Sequence, residues 1–303
     1  MSDAASSLSR RTPRSAATLA GFGAILLWSL LALFTAASGE VPPFQLAAMT
    51  FLVGGLCGCL PWLARPARAR ALLQPWPVWL LGVGGLFGYH ALYFSALRLA
   101  PPAEAGLINY LWPLLIVLFS ARLPGSGGLR PGHLAGAALG LAGVVALFAG
   151  RDELGFTAGA LPGYAAALAA AFVWAGYSVL SARVGTVPTD AVAGFCLATA
   201  ALSLACHQAV EATVWPVDAV QWSAVLLLGL GPVGAAFYLW DVGCKRGDVR
   251  LLGVAAYAAP VLSTLILVAA GYANPGPALA LACLLIVAGA LAAVGASRAA
   301  PRG

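Results

Sequence analysis

The sequence predicts an all-α integral membrane protein in which ten transmembrane helices form two inverted five-helix repeats around a central cavity. Three observations carry that expectation. The 303-residue chain is 61% hydrophobic and only 9% charged, with a mean hydropathy of +0.92, so it has too little polar surface to cover a soluble domain. Apolar runs of about 20 residues, the length a helix needs to cross the hydrocarbon core, recur ten times between Pro, Gly and charged punctuation. Landmarks of the first half also return in the second at a nearly constant offset. Gly106, Tyr110 and Pro113 fall on Gly253, Tyr257 and Pro260 at 147 places, Tyr93 falls on Trp240, and Trp28, Pro42 and Pro131 fall on Trp174, Pro188 and Pro277 at 146. One duplicated unit accounts for all of them.

Residues 1–18 are polar and rich in Ser and Arg, and the first apolar run lacks the small-residue cleavage site of a secretory signal, so it is read as a membrane helix that stays. In order, the expected spans are Leu19–Ala37, Phe44–Ala64, Trp76–Leu97, Ala103–Ala121, Gly132–Ala149, Pro162–Arg183, Asp190–Val210, Gln221–Gly243, Leu251–Ala270 and Pro277–Ser297. They divide the chain into a cytoplasmic tail (1–18), a first repeat (19–149), an external linker (150–161), a second repeat (162–297) and a second cytoplasmic tail (298–303).

Orientation follows from Lys and Arg, which accumulate on the cytoplasmic side. With both termini cytoplasmic, only Arg98 and Arg151 lie outside, leaving fourteen of the sixteen basic residues inside. The net charge of +6 is this bias seen from a distance and points to no nucleic acid. Five spans per repeat is an odd number, so the second copy enters the bilayer from the opposite side. Such inverted repeats mark secondary transporters, with substrate bound near the midplane where the halves meet.

Cys57, Cys59, Cys196, Cys206, Cys244 and Cys283 sit in or at the ends of apolar helices, where cysteine acts as a small hydrophobe. No metal and no cofactor is expected. Lys and Arg are missing from the middle of every span, which disfavours phosphorylated substrates that need cationic partners. A membrane-embedded transferase would need a nucleophile, paired carboxylates or a metal cluster at one depth; Asp241, His90 and His207 come from different spans and depths.

Polar side chains deep in a span need a partner or a water-filled cavity. By that criterion, and by the shared faces of the aromatics, the expected substrate path comprises Tyr89, His90, Tyr93, Asn109, Tyr110, Trp112, Trp174, Tyr177, Ser178, Asp241 and Tyr257. Aromatic walls with a few hydroxyls suit an apolar or aromatic side chain with a polar end, and they can face an ammonium group. For Asp241 two readings stand: an ion pair with Lys245 one helical turn on, or a contact for a substrate amine or a proton. Pro113 and Pro260 withhold a donor from the carbonyls of Asn109 and Ala256, which predicts a kinked helix with an open acceptor in each half; Pro232, after Gly231, is expected to be either a structural kink satisfied by a neighbouring helix or a hinge. Trp62, Trp76, Trp79, Trp215 and Trp222 are expected in the interfacial belt, and the glycine clusters of the second, third and fifth spans are expected to let helices approach closely.

Ten helices in two inverted copies, with small residues, Tyr and a mid-helix Pro repeated in each, resemble the drug/metabolite transporter superfamily in its EamA branch. Within that branch Tyr89-His90-x-x-Tyr93 and Asn109-Tyr110-x-Trp112-Pro113 are similar to bacterial aromatic amino acid exporters of the YddG type. The resemblance implies a bacterial inner-membrane carrier that works as a monomer and exports amino acids, Phe, Tyr and Trp foremost, by alternating access. Export of another small-molecule class, such as cationic drugs or sugar derivatives, is the alternative it leaves. Two departures from the family pattern stand out: the glutamate often found after the fourth helix of each repeat is missing, and the first span has no acidic residue.

Overall fold

The computed structural model describes residues 14–123, 129–149, 155–271 and 276–298, so parts of the expected tails and of the external linker lie outside the described residues. Within them the chain is helical and holds ten helices long and apolar enough to cross a membrane: Arg14–Ala37, Pro43–Ala64, Trp76–Leu99, Pro102–Ser120, Pro131–Ala149, Ala158–Arg183, Ala191–Val210, Ala219–Arg246, Val249–Ala269 and Pro277–Ala296. The largest shifts from expectation are at the first and eighth spans, which extend into Arg14 and Arg246. Long basic side chains reach beyond a helix end toward water, so charge alone does not stop the helix.

Packing follows the inverted duplication. The second span lies along the seventh and the fifth along the tenth, while the first packs on the eighth as the third packs on the sixth. In each case the partners are repeat-equivalent or the pair recurs with the halves exchanged. Between hydrocarbon-facing helices, association rests on close contact rather than on exclusion of water. Gly54 of the second span meets the backbone of Gly234 in the eighth, where a Cβ would stand 2.8 Å from the Gly234 Cα, and Gly136 of the fifth meets Gly289 of the tenth, 2.6 Å from its carbonyl oxygen. The second and seventh spans are also joined by charge: Arg68 grips Asp190 with both Nε and Nη2 at 2.8 Å.

Among the described residues five spans are interrupted, and four of them form two repeat-related pairs. The third span passes through a π-helical segment at Gly84–Gly88 and the eighth through another at Gly231–Ala235, an offset of 147. Single π turns of this kind re-aim a helix and gather at functional sites. Pro232 lies in the second of these segments. The fourth span breaks between Pro102–Asn109 and Trp112–Ser120, the ninth between Val249–Ala255 and Ala258–Ala269. Both breaks fall at the tyrosine, three residues ahead of the proline. Pro113 and Pro260 therefore stand in the first turn of a new helix, where a missing N–H leaves nothing unpaired.

One expectation is corrected here. The Ala256 carbonyl is not left open, because the Ala259 amide donates to it at 3.1 Å, a tighter turn that takes up the acceptor Pro260 forfeits. The first span breaks as well, at Leu30, whereas its counterpart runs unbroken from Leu161 to Arg183.

Gly54→Ala should force the second and eighth spans apart, at a cost of about 1–3 kcal/mol, and lower the unfolding midpoint in detergent. Gly84→Ala, where nothing lies within 4 Å of the added methyl, should leave it unchanged; thermal unfolding followed by fluorescence checks both.

Candidate functional site

Four tryptophans from four spans meet at the middle of the bundle. Trp28 lies 5.0 Å from Trp240, 5.6 Å from Trp174 and 6.3 Å from Trp112 between ring centroids. Trp112 stands edge-on to Trp174 and Trp240 at 6.3 and 6.1 Å, and Trp174 stacks on Trp240 at 6.4 Å. Edge-to-face and offset contacts at such distances are the favoured geometries of aromatic pairs. Two indole N–H groups are fixed: Trp28 Nε1 donates to the Pro232 carbonyl at 3.1 Å and Trp240 Nε1 to Ser178 Oγ at 3.0 Å. Trp28 thus takes up a carbonyl inside the π segment of the eighth span, which ties the interruption to the ring cluster.

The third span adds a second set of rings. Tyr89 stacks on Tyr93 at 5.9 Å and leans on Trp174 at 5.2 Å. His90 meets Phe51 edge-on at 5.0 Å, and Phe51 stacks on Phe237 at 5.4 Å. His90 Nδ1 lies 2.7 Å from the Leu86 carbonyl. A carbonyl only accepts, so Nδ1 carries the proton and a neutral ring presents Nε2 as an acceptor. Asn109 Nδ2 donates to the Tyr89 hydroxyl at 3.0 Å, while Asn109 Oδ1 is buried with no hydrogen-bond partner among the described residues. Trp28, Tyr89, His90 and Tyr93 are only partly buried although other spans surround their rings.

Tyr89, His90, Tyr93, Asn109, Trp112, Trp174, Tyr177 and Ser178 are therefore gathered in one region. Tyr110 and Tyr257 are not. Tyr257 is fully buried in a separate core with Val254 and Ile286, its ring against Gly140, and its hydroxyl accepts from the Leu114 amide at 3.2 Å. That bond serves one of the first-turn donors of Trp112–Ser120 that a helix cannot satisfy itself, so Tyr257 is a joint between the two broken helices. Tyr110 packs on Phe148 in the same core. Trp79, expected in the belt, instead packs edge-on against Phe195 at 5.4 Å and donates to the Leu72 carbonyl; Trp76, Trp215 and Trp222 are exposed.

Asp241 follows Trp240 but points away from the rings. Its Oδ1 pairs with Lys245 Nζ at 2.7 Å, both side chains 3% exposed, and its Oδ2 accepts from Thr189 Oγ1 at 2.7 Å. Lys245 also donates to the Val187 carbonyl at 3.0 Å. This is the ion-pair alternative for Asp241. The pair lines a crevice with Tyr177, Ser181 and Phe195.

Reasoning from sequence missed a second polar cluster at the other ends of the spans. Glu211, just beyond the seventh span, has a side chain 1% exposed. It accepts from the amides of Phe44 and Gln45 at 3.1 Å, from Arg98 Nη2 at 2.7 Å, and meets His207 Nδ1 at 3.0 Å. The carboxylate sits on the N-terminus of the second span, where the helix dipole and free amides favour an anion. It lies in a loop, outside any apolar run, and so drew no notice. Trp28, Phe51, Phe237 and Trp240 were also absent from the expected path; the repeat offset that pairs Trp28 with Trp174 and Tyr93 with Trp240 was the available signal. Among the described residues no group of His, Cys, Asp and Glu could hold a metal.

An inverted pair of five-helix units around an aromatic centre defines a membrane carrier. The EamA-like transporter family matches the chain twice, over residues 15–149 and 161–295, and the chain belongs to that family. It is 63% identical over 281 residues to the aromatic amino acid exporter YddG of Ancylobacter novellus, covering 92% of this chain and 97% of the relative. The proteins of the same name from Salmonella typhimurium and Escherichia coli are 29% and 28% identical, over 82% and 83% of this chain and 86% and 87% of theirs. A crystal structure with 62% sequence identity superposes with a TM-score of 0.90, covering 94% of this chain and 98% of that one.

Trp174 touches the rings of Trp28, Tyr89, Trp112, Tyr177, Phe237 and Trp240, so Trp174→Ala should reduce substrate flux roughly tenfold or more, the scale of losing one or two aromatic pairs. Exposed Trp222→Ala should leave flux intact; initial rates in reconstituted vesicles distinguish the two.

Proposed function

We propose that the chain exports aromatic amino acids across the bacterial inner membrane by alternating access. The observation that carries this reading is the cluster of four tryptophans from four spans at the middle of the bundle, with Tyr89, His90 and Tyr93 beside it. A planar apolar side chain finds edge and face partners there, and its ammonium group finds indole faces for cation–π contact. The open acceptor Asn109 Oδ1 and His90 offer hydrogen bonds to the polar end. The name shared by the relatives agrees with that chemistry.

Both termini lie on the cytoplasmic side in this reading, supported by the excess of basic residues in those loops. The residues on the path are Tyr89, His90, Tyr93, Asn109, Trp112, Trp174, Tyr177 and Ser178, joined by Trp28, Phe51, Phe237 and Trp240. Tyr110, Tyr257 and Asp241 act on them from outside, through helix joints and the ion pair with Lys245. Each protein works as a monomer, since the site is complete within one chain. The π segments at Gly84–Gly88 and Gly231–Ala235 and the breaks in the fourth and ninth spans supply the flexible points that exchange of access requires.

Counterflow of labelled tryptophan in proteoliposomes tests the reading. Wild type should exchange tryptophan and phenylalanine, and Trp112→Ala should lose most of that flux while still folding. Exchange of a nucleotide sugar without tryptophan exchange would sink the assignment.

A further inference from the structure

Arg98 and Lys245 are 147 places apart, the offset of the repeat, and each ends the third helix of its half. Each also reaches to the same place within its own half, the N-terminus of the second helix. Arg98 does so through Glu211, whose carboxylate holds the Phe44 and Gln45 amides that open the second span. Lys245 does so through the Val187 carbonyl, and through Asp241 to Thr189, immediately ahead of the seventh span. Because the halves are inverted, the two attachments lie on opposite faces of the bilayer.

Each basic residue also lies at the far end of a movable arm. In the third span the π segment Gly84–Gly88 precedes Tyr89–Leu99, which carries Tyr89, His90 and Tyr93. In the eighth, Gly231–Ala235 precedes Ala236–Arg246, which carries Phe237 and Trp240. The second and seventh spans, which the arms meet at these catches, are packed along each other, and Arg68 just beyond the second is paired with Asp190 at the start of the seventh. A hinge, an arm bearing site aromatics and a terminal catch thus occur once per half, around one fixed pair of helices.

We propose that Arg98 and Lys245 are repeat-related latches, positioning residues that set which face of the carrier is open by holding the outer half of the third span and the inner half of the eighth against the fixed pair. The inference rests on alternating access. Both catches are made in this structure. They are unequal: the Arg98 side chain is 44% exposed over a Glu211 side chain that is 1% exposed, whereas Lys245 and Asp241 are both 3% exposed. Screening weakens the former, so the Arg98 latch releases more readily and the resting carrier favours opening on that face.

Hydrogen–deuterium exchange on the full chain in nanodiscs, with and without tryptophan, tests the pair. Arg98→Gln should raise exchange in residues 211–218 by roughly two- to fivefold, the scale of a lost partly exposed ion pair. It should also lower exchange in residues 184–190 on the opposite face, and Arg98→Lys should restore both. Asp241→Asn with Lys245→Gln, made together so that no buried charge is left single, should do the reverse. Faster exchange confined to the altered face would mean a local brace and overturns the proposal, as does no change at either face; should the double variant fail to fold, Arg98→Gln alone separates the same outcomes. If tryptophan protects one face of the wild type and exposes the other while the variants show no reciprocity, the latches fall and the carrier reading stands. A wild type that moves no tryptophan overturns both.

Discussion

A carbonyl or amide that loses its helical partner inside a bilayer finds no water to replace it, and this constraint governs every interruption in the chain. Where the eighth span opens into a π segment, the Trp28 indole supplies the missing donor to Pro232. Where the fourth span restarts, the Tyr257 hydroxyl receives the Leu114 amide; where the ninth restarts, the turn tightens and Ala259 serves Ala256. The aromatic residues thus fill the centre and also complete backbone that the flexible points leave open. The interruptions and the aromatic centre are built from the same side chains.

The polar clusters obey the complementary rule that charge inside the bundle must be matched. Glu211 is surrounded by two amides, a guanidinium and an imidazole, and Asp241 by an ammonium and a hydroxyl. Neither is free to be a simple counter-charge for a substrate ammonium. In the proposed carrier, recognition of such a group would fall to ring faces and neutral acceptors, which bind without fixing the substrate to one protonation chemistry. That fits a carrier whose ligand must also leave.

Much of the fold was legible in the sequence because its signals are periodic and long. Ten apolar runs, the 147-residue offset and the tyrosine-to-proline spacing survive in any order of packing. The π segments were marked only by glycine and proline, and the close approach of Phe195 and Tyr177 to Gly82 and Gly85 at the third span is visible only in the folded chain. Tyr89, His90 and Trp174, which the structure brings together, were singled out because deep polar and aromatic residues are conspicuous. Tyr257 was misplaced because its repeat position matches Tyr110, and both point into the second core instead of the centre. Glu211 could not be found at all by hydropathy: its partners come from residues 44, 98 and 207, and only the folded chain brings them together.

Glu211 belongs to the second half of the chain, yet the helix it completes is the second span of the first. A ribosome delivers the first five spans well before residue 211 leaves it. Until then the amides of Phe44 and Gln45 and the guanidinium of Arg98 lack their anion, and the second span lacks the seventh as its neighbour. The first half can therefore enter the membrane during synthesis but cannot reach its final packing on its own. Duplication here has produced halves that mature together, each finishing an end that the other leaves undone.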